Sequence, residues 1–199
     1  MKGGAPRAVW LTTESDPASL TAQAVARRLV GDGRCGHLVW NPRTGETVQM
    51  LPATAPAGGE LTAAAPDRAC EGRVCVIIRV IGWSHAPFTD LPLCDLDPIL
   101  SWLDSWEVPR RWPAGAPPSG LQAPHPRSSS ERLWARGGHF GHSQVPGAQA
   151  SAPGAVCPQR LLAQARPPNP PRALTAPAPL PPIERAADGQ RHYAGAVSG

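Results

Sequence analysis

The sequence predicts a single α/β domain with a mixed central β-sheet flanked by helices, followed by a proline-rich tail. Three observations carry this. Apolar β-branched runs separated by a segment of helical period imply strands joined through helices. A pair of short runs around a polar turn adds an antiparallel hairpin. The 26 prolines among 199 residues crowd into stretches without apolar periodicity, which leaves the core-forming chain before about residue 165. The expected organisation is a flexible N-terminus (1–7), the domain (8–165) and a disordered Pro/Ala-rich tail (166–199).

The elements follow in order. Residues 8–11 of "RAVWLTTESDP" read as a short buried strand ending in a polar turn. Asp16 before Pro17 has the chemistry of a helix start, because its carboxylate can accept from free amides and proline needs no N–H partner there. Leu20, Ala24, Val25 and Leu29 then share one helical face until Gly31 and Gly33 stop it. "GHLVWNPRTGETVQML" has the form of a hairpin turning at residues 41–45, and residues 52–72 read as a long loop. "RVCVIIRVIG", residues 73–82, suits a central strand covered on both faces. The second helix is expected in "DLDPILSWLDSWEVP", capped by Asp97 with Pro98 next, and with Ile99, Trp102, Leu103 and Trp106 packing on the sheet. A proline-rich loop, a short serine-capped helix around "SSSERLWARGG" and a final helical turn in "CPQRLLAQA" complete the domain.

The formal charge of +4 comes from 19 Lys+Arg against 15 Asp+Glu. Lys2 is the one lysine, and the arginines are scattered without interleaved aromatics, so a nucleic-acid surface is not indicated. Five cysteines without a C-x-x-C point to reduced thiols and not to a zinc ribbon or a disulfide framework. The N-terminus lacks the apolar stretch of a signal peptide, and no run reaches membrane-spanning length. A monomer made in the cytoplasm is therefore expected. The pairs Cys35 with His37 and Cys157 with His142 lack the third orienting residue and the oxyanion donors of a Cys/His hydrolase.

"GGHFGHSQVPGAQASAPG", residues 137–154, places His139 and His142 three apart. On an extended segment that spacing turns the two rings to opposite faces, so a shared metal ion would require the loop to curl. Trp10, Trp40, Trp102 and Trp106 read as core, whereas Trp83, Trp112 and Trp134 are candidates to line a sugar- or peptide-binding groove. Glu14 and Asp16 read as turn and cap residues, and His37 as a packed, hydrogen-bonded side chain.

Four segments in this order resemble the zinc-dependent N-acetylmuramoyl-L-alanine amidases of the type-2 amidase and peptidoglycan-recognition fold, in their actinobacterial and phage forms. "VWLTTES" is similar to the family's opening "VWHTTES", "GHLVWNPRTGETVQ" to its hairpin, "VCVIIRVIG" to a central strand written "VCIQIEVVG", and "GGHFGHSQVP" to its C-terminal metal loop. The resemblance covers about residues 8–165. It implies an enzyme of peptidoglycan or muropeptides that hydrolyses the bond between the lactyl group of muramic acid and L-alanine. Zinc would be held by three ligands, with water in the fourth position.

Carried over residue by residue, the resemblance leaves His142 as the one candidate metal ligand. The family's first histidine falls on Leu11, its aspartate on Ala152, its central-strand glutamate on Arg79, and the position where many members place lysine or histidine on Ala150. His139 is then a bystander and no catalytic residue is assigned. The resemblance thus implies either an amidase with zinc held by ligands not identified, or an inactive muropeptide-binding module or decayed copy. Release to the cell wall as a phage lysin is the route it implies for a chain without a leader.

Overall fold

The computed structural model describes residues 4–58, 61–62, 67–118 and 127–163, with backbone alone at 127–129. The proline-rich tail expected from residue 166 lies outside the described residues. Five strands form one sheet in the order β3-β2-β4-β1-β5. They are β1 (Arg7–Thr12), β2 (Leu38–Trp40), β3 (Thr47–Gln49), β4 (Cys75–Val80) and β5 (Gly138–Gly141). β4 pairs in parallel with both β1 and β2, β5 pairs in parallel with β1, and β3 closes the hairpin antiparallel to β2. The fold class is therefore α/β with a mixed sheet, and the β-branched run lies at its centre.

Successive side chains of a strand face opposite sides, and this divides the core. Trp10, Trp40, Val76, Ile78, Val80 and Phe88 share one cluster with the helix α2 (Leu96–Ser105). On the other face Val9, Leu11, Ile77, Phe140 and Trp134 form a second cluster, and Val39 with Ile81 meets α1 (Ala22–Gly31) in a third. The two helices thus cover opposite faces. The other two helices are α3 (Arg127–Ala135) and α4 (Pro158–Leu162). Among the described residues no helix is long and apolar enough to cross a membrane.

Several helix boundaries differ from those expected. Asp16 accepts from Ala18 N at 2.9 Å and closes a turn, while Thr21 is the cap of α1 through Ala24 N at 3.1 Å. The buried face is Ala22, Val25, Ala26 and Leu29, which keeps Val25 and Leu29 as expected and leaves Ala24 exposed. Helix α2 begins before Asp97, because Asp95 takes a left-handed conformation (φ 52°) that turns the chain into it. Trp102 and Trp106 pack at the margin of the core and are only partly buried. Ser128–Ser130 lie inside α3 and do not precede it. The strand β5 was not expected at all from a segment with two glycines.

Candidate functional site

In open α/β sheets, ligands bind beyond the carboxyl ends of the strands, and the positions singled out by the resemblance lie towards that end. Leu11 of β1 is in register with Arg79 of β4. On its other side β1 pairs Trp10 with Gly141, so His142, the next residue, follows beside Leu11. Arg79, Leu11 and His142 therefore stand in a row at the ends of three adjacent strands, His142 being the first residue after β5. The loop carrying Ala152 is tied to the end of this row by Ser143 N donating to Ala152 O at 2.8 Å. Gly141 is required there, since a Cβ would lie 2.7 Å from Pro153 Cδ.

His142 donates from Nε2 to Leu61 O at 2.9 Å, which leaves Nδ1 as its lone-pair nitrogen. Burial lowers its pKa; the bond to Leu61 acts in the opposite sense, and Arg79 and Arg34 lower it further. Arg79 is 1% exposed, and burial first, then Arg34, pushes its pKa down to about 10, so it remains a cation at neutral pH. Arg34, exposed in the turn after α1, thus bears on Arg79 and His142, the two ionisable members of the row. The electrostatic character of this corner is positive.

These residues do not fit zinc. Leu11 is 2% exposed and belongs to the apolar cluster of Val9, Leu61 and Phe140, Ala152 offers a methyl group, and a guanidinium stands where an anion would compensate the metal. Among the described residues no three His, Cys, Asp or Glu side chains come together as a metal-holding group. Ala150, in the same loop, adds no donor atom.

His139 faces the other side of the sheet. Its Nδ1 accepts from Trp10 Nε1 at 3.1 Å, and its ring lies between Trp10 and Trp112, with centroids at 6.0 and 6.4 Å. Burial, chiefly, with Arg110 nearby, depresses its pKa to about 3. His37 accepts from Ile77 N at Nδ1 and donates from Nε2 to Ala55 O, so both nitrogens are used within the domain. The five cysteines form no disulfide with one another.

Of the three tryptophans expected at a groove, only Trp83 is exposed. Trp112 is 9% and Trp134 1% exposed. Trp112 Nε1 donates to Gln144 Oε1 at 2.6 Å, and Trp134 is held between the Arg7 guanidinium, 4.6 Å from its ring centre, and Glu71 Oε2 at 2.6 Å. Sequence reasoning also missed Arg34, which carries no periodic signal, and the link from Glu14 to Ser84. That link joins the loops after β1 and β4: Ser84 N and Oγ donate to the Glu14 carboxylate at 3.0 and 3.1 Å. No protein-family model, no curated protein and no solved structure matches the chain.

Proposed function

We infer that the protein recognises peptidoglycan fragments of the muropeptide type and binds their stem peptide without hydrolysing it. The observation that carries this reading is the Arg79–Leu11–His142 row at the carboxyl ends of β4, β1 and β5, with Arg34 beside it. Arg34 is exposed beside the buried Arg79 guanidinium, and a ligand carboxylate that pairs with Arg34 offsets the repulsion between the two. Free carboxylates are what a stem peptide offers. Leu11 and Ala152 supply no metal ligand, and Arg79 stands where the resemblance places the carboxylate that would handle protons in amide hydrolysis.

The test is calorimetric titration with a soluble stem tripeptide and with the intact disaccharide-peptide, with zinc supplied in a parallel hydrolysis assay. Binding is expected, and Arg34→Ala, at an exposed position, should weaken it about tenfold, the scale of one charge-assisted hydrogen bond. Absence of binding, or release of stem peptide by the wild-type chain, would overturn the reading.

A further inference from the structure

We propose that Trp83 is a stacking platform for a pyranose ring, the glycan subsite of the recognition surface described above; this rests on that reading of the ligand. Trp83 and Val30 are the large hydrophobic side chains exposed among the described residues. Val30 lies on the outward face of α1, where one exposed apolar residue is ordinary. Trp83 is different because the chain around it is fixed on every side. It closes a four-residue turn by a β-bridge to Ala86, whose N–H donates to Trp83 O at 3.2 Å. The next residue, Ser84, is gripped through both N–H and hydroxyl by Glu14, and Thr12 Oγ1 in turn holds Glu14 Oε1 at 2.5 Å.

That grip is held at a conformational cost. Glu14 sits at φ 50°, a region that non-glycine residues occupy only when their surroundings over-determine it. From the other side the loop after β5 presses in at Gly154 (φ +76°), where a Cβ would fall 1.8 Å from Ser84 O. The loops after β1, β4 and β5 therefore converge on the base of one exposed indole. His85 flanks it, the two ring centres 5.6 Å apart and tilted by 35°.

A rigid, half-exposed aromatic face with a polar edge suits the apolar CH face of a sugar and its hydroxyls, with little side-chain entropy lost on binding. The placement agrees with the rest of the ligand. Trp83 lies four residues beyond Arg79 along the same chain, at most about 13 Å at the rise of a strand. A sugar on Trp83 and the peptide attached to it can therefore span the distance to the carboxyl end of β4, where Arg79 lies.

The experiment uses the full chain and glycan strands from which the stem peptides have been removed, with the free stem tripeptide as the second ligand. The wild type should be retained on the stripped glycan, and the disaccharide of N-acetylglucosamine and N-acetylmuramic acid should shift its tryptophan fluorescence. Trp83→Ala should weaken glycan binding about tenfold, Trp83→Phe should keep most of it, and neither should alter affinity for the tripeptide. Glycan binding unchanged in Trp83→Ala overturns the platform, as does a wild type that binds tripeptide but no stripped glycan. A wild type that binds neither ligand removes the platform together with the reading beneath it.

Discussion

His139 shows how one residue can look like chemistry and act as core. Stacked between two indoles and accepting from Trp10, its ring is held neutral, with a pKa moved by burial from 6.5 to about 3. Between those values the unfolded chain binds a proton that the folded chain does not. The stability this site contributes is thus complete above pH 6.5 and drains away as pH falls toward 3. His37 and His142, also lowered chiefly by burial, act in the same sense. His139→Asn retains an acceptor for Trp10 and removes the titration. Its unfolding free energy, measured in urea from pH 7 to 4, should be lower than that of wild type at pH 7 and decline less steeply with acid. An unchanged slope would show that His139 is not the group responsible.

At the scale of elements, the joint between hairpin and helix is the most exposed to test. The Glu46 carboxylate accepts from Ala22 N at 2.8 Å and from Gln23 N at 3.2 Å, so the hairpin supplies an anion to the positive end of α1. Glu46→Ala should cost about 1 kcal/mol, seen as a lower urea midpoint at unchanged slope, with the difference shrinking as salt is added. Such a link joins residues more than twenty apart, and no local pattern announces it. This is why the sequence located α1 but placed its cap at Asp16: the Asp-Pro signal was real, and it marks a turn. The buried β-branched run of β4 was legible because every residue in it wants the same environment. Strand β5 was not, since Gly138–Gly141 contains a single large apolar residue and is extended only because β1 offers it a parallel partner. The candidate site positions were drawn from the resemblance alone, and neither resemblance nor pattern announced the Glu14–Ser84 grip.

For the molecule as a whole, the strand order decides both where the site lies and how it can be altered. Since Leu11 is flanked by Arg79 and followed across β5 by His142, the descent implied by the resemblance makes a concrete demand. Leu11→His with Ala152→Asp supplies the absent ligands, and Arg79→Glu removes the opposing charge. The triple variant should take up about one zinc per chain by elemental analysis, whereas the double variant, with the guanidinium still in place, should bind it more weakly. No uptake by the triple variant would count against that descent. The order β3-β2-β4-β1-β5 also sets a timetable. The first strand to leave the ribosome has as neighbours the fourth and the fifth, so β1 has no partner until residues 75–80 arrive and keeps an open edge until residues 138–141 follow. A nascent chain halted between those points presents an apolar strand with one unpaired side, a template for association with its copies. The segment that delivers His142 to the candidate site is therefore also the one whose late arrival covers the open edge of β1.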